Sequence, residues 1–531
     1  MLVYFRSIPG LLALACCVIA IFAASSMAQN PDPTFVKDEL LVKLRTTNGK
    51  LSANDRLARL GVGHLETLGD LGWMRVKLLS GQDPRLAAAE LSKNEEIESA
   101  QPNYYYHLGA TPNDAQWNNS ALYGLRIISA PAAWDLITGS SSVVVANIDT
   151  GIRYTHEDLA ANMWVNPGEI PGNGFDDDGN GFADDIYGYD FFYNDADPID
   201  ENGHGTHTSG TIGAVGNNLL GVVGVNWSVE IMAIKIYNNT GFGTTSAMLI
   251  NAYNYVRLMK NRGINIRVTN NSYSGCDEAC GYDQATKDAL DAMGNAGILN
   301  IFAAGNNAIN NDTSAAPNYP ATYTSPSVLA VAASTSTDIR ASFSAYGPTS
   351  VDLAAPGSGI LSTTNTSNSS YGGNSGTSMA TPHVTGAAAL LSAYNPTLSV
   401  ASLKATLMNS VDTFASLGTT VSNNWLPTPV RSGGRLNVLK ALQNQTVCSF
   451  NLSSTTIPAG TKGGYYTLTM SAAQNCDYSI KSNAKWIKFD GSDSRSGSGQ
   501  IGIRVGVNPT ISRSGTLSVG GQTITVTQSR S

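Results

Sequence analysis

The stretch VVVANIDTG, Val143–Gly151, decides how the middle of this chain folds. Its apolar and mostly β-branched residues are typical of a strand that is buried on both faces, as in a parallel sheet. The stretch ends in Asp-Thr-Gly, which places the carboxylate of Asp149 at the carboxyl end of the predicted strand. Asp149 therefore either takes part in a reaction there or only begins a turn, and the rest of the chain has to decide between the two.

The segment 111–445 around this strand alternates strand and helix patterns. Apolar strand patterns include VEIMAIKI (229–236) and GILNIFAAG (297–305), and the helical pattern TTSAMLINAYNYVRLMK covers residues 244–260. Such alternation is typical of a parallel sheet that is covered by helices. We predict an α/β domain over residues 111–445.

The two flanking segments show other patterns. Residues 29–110 combine strand-like and helix-like stretches, which predict a small α+β domain. Residues 446–531 contain short strand patterns separated by Gly, Ser and Asn turns, which predict a small all-β sandwich. Several folding units are also expected because a chain of 531 residues is too long for one ordinary core.

Composition and the N-terminus indicate an exported protein. The low charged fraction of 14% and the net charge of −8 argue against a nucleic-acid partner and suit a protein that binds cations, although simple solubility explains the same charge. Arg6 precedes the apolar run LLALACCVIAIFAA, and small residues follow at Ser26 and Ala28, which predicts a signal peptide over residues 1–28. A retained membrane anchor is the alternative, but the run is shorter than the roughly 20 residues that a span needs.

Four cysteines remain after the predicted signal peptide. An even number in an exported protein predicts disulfides, and proximity favours the pairs Cys276–Cys280 and Cys448–Cys476. A metal half-site at Cys276 and Cys280 is the alternative, although no second Cys or His pair accompanies it.

The tripeptide at Asp149 is also the tripeptide of aspartic proteases. Those enzymes need two facing carboxylates that share one proton, so a single chain needs a second Asp-Thr-Gly or Asp-Ser-Gly. This sequence has none, and it is far longer than a half-size subunit that would dimerise. Asp149 must therefore work with other partners.

Two further motifs supply such partners. NGHGTHTSGTIGA places His204 at the start of a helical stretch, and the spacing of His204 and His207 allows a zinc pair, but a third ligand is not evident. GTSMATPHVTGAAALL places Ser378 at the start of an Ala-rich helix, where backbone N–H groups and the helix dipole favour a developing oxyanion. The order Asp149, His204, Ser378 points to nucleophilic catalysis by a serine.

The three motifs resemble the active-site blocks of the subtilisin-like serine proteases, the subtilase family, and they occur in that family's chain order. The resemblance implies that Ser378 is the nucleophile, that His204 is the general base and that Asp149 orients the imidazole. A fourth match, IFAAGNN, implies that Asn306 donates to the oxyanion, whereas a simple turn residue after a strand is the alternative.

The resemblance also implies where a peptide substrate binds. The substrate is implied to pair as an extra strand with residues 271–275 and 303–306. Asn318 is implied to lie near the base of the pocket that receives the substrate residue before the scissile bond. No acidic residue is visible there, so a preference for basic side chains is not expected, and the bond before Pro320 is expected to be cis. The implied substrate-binding residues are Ser272, Tyr273, Ser274, Gly275, Ala304, Gly305 and Asn318, with Ser274 where the family usually has glycine.

Calcium is the expected metal. The stretch FDDDGNGFADD spaces Asp176, Asp178, Asn180 and Asp184 like the first part of an EF-hand loop, without the closing Glu, and a solvated acidic loop is the alternative. The resemblance implies a second site, in which Asp158 and Asn218 are side-chain ligands.

The flanking domains also resemble known modules. PNYYYH (102–107) resembles the end of an inhibitory subtilase pro-domain, which implies that residues 29–110 assist folding, block the cleft and are cut off between Tyr106 and Thr111. The C-terminal segment resembles BACON-like sandwich modules, which implies possible glycan binding, although Trp486 and Tyr465–Tyr466 fit a core equally well.

Together these observations predict a secreted, calcium-stabilised serine endopeptidase that acts on protein or peptide substrates and is made as a self-processing zymogen. The alternative is a non-catalytic binding or adhesion protein with the same fold. Such a protein would normally lack a triad member or the oxyanion Asn, and all four residues are present here.

Overall fold

The computed structural model describes residues 35–46, 51–79, 81–104, 110–274, 282–413, 430–508 and 511–529. The predicted signal peptide, Gly275, the Cys276–Cys280 pair and most of the aromatic tail at 104–107 lie outside the described residues. The chain divides into two compact units, Met1–His107 and Leu108–Ser531.

The first unit is a four-stranded antiparallel sheet with two helices, as the α+β pattern predicts. Its elements are β1 Phe35–Leu44, α1 Ala53–Arg59, β2 Val62–Leu68, β3 Trp73–Leu78, α2 Pro84–Leu91 and β4 Ile97–Tyr104, and the strand order is β2-β3-β1-β4. Ser52 and Asp83 cap the two helices by accepting from backbone N–H groups in their first turns. Leu40, Leu57 and Val76 are fully buried between helices and sheet.

The second unit begins with the α/β part. Its helices are α3 Tyr123–Ile127, α4 Ala130–Trp134, α5 His204–Gly213, α6 Ser246–Asn261, α7 Gln284–Asn295, α8 Thr377–Tyr394, α9 Val400–Asn409 and α10 Val438–Gln443. Its strands are β5 Gly139–Asp149, β6 Gly188–Asp190, β7 Ser228–Lys235, β8 Ile266–Asn271, β9 Leu299–Ala303, β10 Val328–Ser334, β11 Leu353–Pro356, β12 Ile360–Thr363, β13 Tyr371–Asn374, β14 Asp412–Thr413 and β15 Gly434–Arg435. Short 3₁₀ turns lie at Ser120–Leu122 and Ala160–Asn162.

Nine of these strands form one sheet in the order β14-β15-β11-β10-β9-β8-β5-β7-β6. The pairings from β15 to β6 are parallel, β14 pairs antiparallel with β15, and β12 and β13 form a separate hairpin. This sheet with its helices is the predicted subtilisin-like architecture.

Strand β5 shows why its sequence is apolar throughout. Val143 and Val145 face one core, which includes residues of α5 and α8, whereas Val144 and Ile148 face the other, which includes residues of α6 and α7. Because successive side chains of a strand point to opposite faces, a strand covered on both faces needs apolar residues at every position. The same burial brings Asp149 to the carboxyl edge of the sheet.

The last part of the second unit consists of two sheets around one core, as predicted. Its strands are β16 Asn451–Leu452, β17 Thr456–Ala459, β18 Gly464–Ser471, β19 Asp477–Ser482, β20 Ile487–Phe489, β21 Ser494–Ser496, β22 Gly499–Val505, β23 Arg513–Val519 and β24 Gln522–Gln528. The sheet orders are β16-β18-β22-β20 and β17-β24-β23-β19-β21, and apolar side chains of both sheets form the core. Cys448 and Cys476 form a disulfide.

Aromatic side chains of this sandwich divide between core and surface. Trp486 and Tyr466 pack against the core, and the guanidinium of Arg513 lies 4.1 Å from the ring centre of Trp486, which supports the core interpretation for these two residues. Tyr465 is 60% exposed, and a glycan-binding role for it stays a prediction, as does the BACON-like assignment.

Among the residues that the structure describes, no helix combines the length and the apolar character needed to cross a bilayer.

Candidate active site

Asp149 and His204 meet at the carboxyl edge of the sheet. Asp149 is the last residue of β5 and only 2% exposed, and His204 is the first residue of α5. The imidazole Nδ1 of His204 lies 2.7 Å from Asp149 Oδ1, which also accepts a bond from the backbone N–H of Thr150 (2.8 Å). The hydroxyl of Thr208 donates to the other carboxylate oxygen at 3.3 Å. The bond to Asp149 leaves Nε2 of His204 as the nitrogen that can take up a proton.

The pKa values of the two histidines of α5 are shifted in opposite directions. Burial lowers the pKa of His204, but the charge of Asp149 and the hydrogen bond to it outweigh burial, so the net pKa lies above its usual value. Burial lowers the pKa of His207 to about 4, and its Nε2 lies 3.0 Å from the carbonyl oxygen of Ile360. That carbonyl needs a donor, so His207 holds its proton on Nε2 and does not offer this nitrogen to zinc.

Ser378 lies at the start of α8 and is 8% exposed. Its hydroxyl donates to the carbonyl oxygen of Ser272 at 2.9 Å. This bond is compatible with a nucleophilic role for Ser378, because catalytic hydrogen bonds are often long or poorly aligned without substrate and tighten only when it binds.

Two N–H groups border one open space beside Ser378. The side-chain oxygen Oδ1 of Asn306 accepts from Thr377 N (2.8 Å) and from the Thr377 hydroxyl (3.0 Å), which fixes the side chain and turns its amide nitrogen away from Thr377. A Cβ atom on Gly376 would lie 3.5 Å from Ser378 N and 3.6 Å from Asn306 Nδ2. The glycine therefore leaves room for a small acceptor that both N–H groups can reach, as an oxyanion site requires.

Asn318 is held in a network of side-chain amides. Its Nδ2 lies 3.0 Å from Asn307 Oδ1 and 2.9 Å from Asn311 Oδ1, and a Cβ on Gly305 would meet it at 2.4 Å. Glycine at 305 is thus needed for Asn318 to pack here. The peptide bond between Tyr319 and Pro320 is cis, as predicted.

The segment that begins at Ser272 lies against Ser378. The hydroxyl of Ser272 is buried and donates to the Ser378 carbonyl at 3.0 Å. The ring of Tyr273 packs into the core, and its hydroxyl lies 2.7 Å from that of Tyr253. Ser274 is half-buried and is the last described residue of this segment. The side chains of Ser272 and Tyr273 therefore hold the segment in place, and substrate binding by its backbone stays a prediction.

The second predicted substrate segment, residues 303–306, requires a correction. Ala304 N donates to Val331 O, and Gly305 O accepts from Ala345 N at 2.9 Å. Gly305 N also donates to the Thr377 hydroxyl. Because these main-chain groups are already bonded within the protein, Ala304 and Gly305 are not a free strand edge. They lie instead as a wall next to Asn318.

Comparisons with known proteins agree with this arrangement. Residues 140–442 match the model of the subtilase family, Peptidase S8. The chain belongs to the subtilase family. Residues 22–103 match the model of the fervidolysin N-terminal prodomain, so this subtilase carries a prodomain of the kind found on zymogens.

Two curated relatives and one solved structure illustrate the similarity. Thermitase of Thermoactinomyces vulgaris is 37% identical over 333 residues, which cover 63% of this chain and 99% of thermitase. The thermophilic serine proteinase of Bacillus sp. (strain AK1) is 37% identical over 57% of this chain and 64% of that protein. The crystal structure of a cold adapted subtilisin-like serine proteinase has a TM-score of 0.43 and 29% identity, covering 57% of this chain and 92% of that one. The subtilase is a serine endopeptidase of the subtilisin type.

The two predicted ligands of the second expected calcium site, Asp158 and Asn218, lie together. Asn218 Nδ2 donates to Asp158 Oδ1 (2.7 Å), and Val222 N donates to Oδ2 (2.8 Å). Burial raises the pKa of Asp158 to about 6, and the charge of Asp114 contributes to that rise. Asp114 Oδ1 is buried without a hydrogen-bond partner, and clustered oxygens of this kind fit a hard cation. The sequence analysis missed Asp114 because no spacing relates it to Asp158.

The acidic loop of the subtilase groups its carboxylates differently from the EF-hand spacing. Carboxylate oxygens of Glu169, Asp178 and Asp185 lie within 4.8 Å of one another. Burial raises the pKa of Asp185 to about 6. Asp178 Oδ1 is buried and has no hydrogen-bond partner, although Arg262 lies 3.2 Å from it. Three carboxylates this close repel one another when charged, and their oxygens are spaced so that one cation could contact all three.

The other predicted ligands of this loop shape its turns. Asp176 accepts from the N–H groups of Asn180 and Gly181, and Asp184 accepts from those of two residues before the loop. The Asn180 amide donates to Asp185 (2.9 Å). Glu169 and Asp185 thus lie beside Asp178 without being selected by the spacing rule, and calcium binding by Asp176, Asp178, Asn180 and Asp184 stays a prediction.

Proposed function

We propose that this subtilase is a secreted endopeptidase that cleaves peptide bonds through the triad Asp149, His204 and Ser378 and matures by cutting its own pro-segment. The observation that carries the proposal is the 2.7 Å bond between His204 Nδ1 and Asp149 Oδ1, at the edge of the sheet where α8 also begins. The raised pKa of His204 supports its role as the group that receives a proton during attack.

The reaction has two balanced halves. Ser378 Oγ attacks the scissile carbonyl carbon while His204 Nε2 takes its proton, and Asn306 Nδ2 and Ser378 N donate to the oxygen that becomes negative. His204 then gives the proton to the leaving amine as the C–N bond breaks, which leaves an acyl-enzyme. A water attacks the ester with His204 again as base, and the carboxylic acid product leaves as Ser378 recovers its proton.

The domain boundaries follow the same proposal. Residues 1–28 direct export, residues 29–110 form the inhibitory pro-segment, residues 111–445 carry the reaction and residues 446–531 form the C-terminal sandwich. In this proposal the pro-segment inhibits the enzyme until it is removed, and cleavage falls between Tyr106 and Thr111. Fervidolysin-like prodomain similarity over residues 22–103 supports this order.

Calcium has a structural role in the proposal. Asp114, Asp158 and Asn218 would hold one ion, and Glu169, Asp178 and Asp185 would hold another, since each group contains a buried carboxylate oxygen without a hydrogen-bond partner. A bound ion would neutralise carboxylates that otherwise repel one another.

The test is the variant Ser378→Ala, expressed in a host that lacks extracellular proteases. It should stay as a precursor with the pro-segment attached, whereas the wild type is processed. Turnover should fall by about 10⁶-fold, the loss known for removal of the triad serine from a subtilisin itself rather than a value worked out for this chain. A variant that matures and cleaves normally would refute the role of Ser378, whereas a wild type that neither matures nor cleaves would favour the alternative, a binding protein whose fold is that of a protease.

A further inference from the structure

A second buried carboxylate lies behind the triad. Asp200 precedes α5 by four residues and is 3% exposed. Its Oδ1 accepts bonds from Thr150 Oγ1 (2.8 Å), Asn202 N (2.9 Å) and Gly203 N (2.8 Å), and its Oδ2 accepts bonds from Thr206 N (2.9 Å) and Thr206 Oγ1 (2.5 Å). The buried carboxylate of Asp200 thus accepts five hydrogen bonds, more than are needed only to keep a buried carboxylate from being unpaired.

Four of these bonds, those from Asn202, Gly203 and Thr206, fix the beginning of α5. The first N–H groups of a helix have no partner within the helix, and a side chain at the N-cap usually supplies one. The N-cap here is Gly203, which has no side chain, so Asp200 takes over that role from outside the helix. His204 is the first residue of α5, and its backbone position therefore depends on Asp200.

The remaining contact links α5 to the strand that carries Asp149. The hydroxyl of Thr150 donates to Asp200 and accepts from Gly205 N at 2.9 Å, so it connects the helix start to the end of β5. The backbone N–H of the same Thr150 donates to Asp149 Oδ1, the oxygen that bonds His204. One continuous set of hydrogen bonds thus joins Asp200 to both partners of the Asp149–His204 pair.

We propose that Asp200 is a positioning residue of the triad, which holds the first turn of α5 on the end of β5 so that His204 stays bonded to Asp149. The proposal rests on the proposed function, in which His204 transfers the protons. Asp200 does not touch the reacting atoms, and it acts through Thr150 and the helix start.

The charge of Asp200 adds a second signature. The charged groups that face His204 are Asp149 and Asp200, and His207, one turn further along α5, is neutral near pH 7 because burial lowers its pKa to about 4. Both carboxylates raise the pKa of His204. Burial raises the pKa of Asp200 more than its hydrogen bonds lower it, and all five partners donate, so the side chain is needed as an acceptor.

Asp200→Asn keeps the shape of the side chain and removes its charge. In mature enzyme normalised by active-site titration, kcat on a short peptide should fall by about 10- to 100-fold, the loss that a misplacement of up to 1 Å causes, with KM within about twofold. The acidic limb of the kcat/KM profile should move to lower pH because His204 loses one of its two negative neighbours. An unchanged kcat or an unmoved acidic limb would overturn the proposal.

Thr150 provides a matched pair that leaves the charge in place. Thr150→Val should lower kcat without moving the acidic limb, and Thr150→Ser, which keeps the hydroxyl, should restore kcat to within about threefold of wild type. This pair decides the matter if Asp200→Asn does not fold. Equal activity of the Val and Ser variants would overturn the link between β5 and α5.

Two controls show whether a fall in kcat is specific to Asp200. Asp477→Asn removes a different buried carboxylate, in the sandwich, and should lower the melting temperature while kcat stays the same. If kcat of Asp477→Asn fell as much as that of Asp200→Asn, any loss of stability would slow the enzyme. Full activity of Ser378→Ala would refute the proposed triad. An inactive Ser378→Ala together with an unaffected Asp200→Asn would leave the triad standing and refute only the role of Asp200.

Discussion

Removal of the Asp477 carboxylate should destabilise the protein by about 3 kcal/mol, because this group neutralises a buried lysine and a partly exposed arginine where the sandwich meets the α/β part. Asp477 lies 2.9 Å from Lys404 Nζ and 2.6 Å from Arg431, and Asp352 lies 3.4 Å and 3.3 Å from the same two groups. The side chains of Asp477 and Lys404 are 5% and 4% exposed, whereas that of Arg431 is 22% exposed. Two carboxylates balance two cations, so Asp477→Asn leaves an excess positive charge in the interior.

The size of the effect follows from this burial. Removing one partner of a buried ion pair costs about 3–5 kcal/mol, and the partial exposure of Arg431 places the loss at the lower end. At about 2 °C per kcal/mol for a large domain, the melting temperature should fall by about 6 °C. The matched control is Asp490→Asn, whose partner Arg504 is 68% exposed and whose loss should cost at most about 1 kcal/mol.

The effect should also depend on pH in a defined direction. Burial raises the pKa of Asp477, but the charges of Lys404 and Arg431 outweigh burial and hold that pKa well below its usual range. The unfolded chain, with an aspartate pKa of about 3.9, therefore binds this proton first as the pH falls. The stabilisation is complete above about pH 4 and is lost as the pH falls toward the folded pKa.

Calorimetry of the inactive Ser378→Ala background, which avoids autolysis, provides the assay. The difference in melting temperature between Asp477→Asn and its parent should be constant from pH 7 to about pH 4.5 and shrink below it. An equal fall for Asp477→Asn and Asp490→Asn, or a difference that grows at low pH, would refute this reasoning.

Three further predictions follow from the site. Gly376→Ala should lower kcat by about 10²–10³-fold without loss of stability, because its Cβ would occupy the space in front of the two oxyanion donors. In the same peptide kinetics, the control Gly460→Ala, a sandwich position where the added Cβ meets no atom within 4 Å, should leave kcat unchanged; an equal fall in both variants would contradict the oxyanion site. Chelation of calcium should lower the melting temperature measured by calorimetry, by the equivalent of about 2.7 kcal/mol if calcium had been present at 100 times its Kd. Asp158→Ala should abolish part of that response. Overlapping melting curves with calcium and with chelator would show that neither site binds the ion. The isolated segment 30–107, added at micromolar concentration to mature enzyme, should inhibit peptide cleavage, and undiminished cleavage would speak against a pro-segment that occupies the cleft.

The features that the sequence predicted well are those set by local pattern and burial. Strand β5 was identified because both of its faces are covered, which requires an uninterrupted apolar run. Helix α8 was identified from its Ala-rich sequence after Gly376, since close packing of a buried helix favours small side chains. The order of the motifs around Asp149, His204 and Ser378 then indicated the chemistry before any distance between them was known.

The features that escaped prediction depend on contacts between distant parts of the chain. Asp114 approaches Asp158 only in the folded protein, and Asp477 meets Lys404 across two domains, so no spacing rule connects them. The EF-hand spacing points to Asp176 and Asp184, whose carboxylates accept from backbone N–H groups, but no spacing rule connects Asp178 with Glu169 and Asp185, which lie beside it only in the folded protein. Asp200 stands next to a recognised motif, yet its role depends on Thr150, 50 residues earlier.

The central claim is that Ser378 is the nucleophile and that Asp149 and His204 activate it. The most direct measurement is labelling of the mature enzyme with a fluorophosphonate, followed by intact mass and peptide mapping. One label per chain should appear on Ser378, and labelling should be lost in both Ser378→Ala and His204→Ala. A label on another residue, or a Ser378→Ala variant that still reacts and cleaves peptides, would contradict the claim.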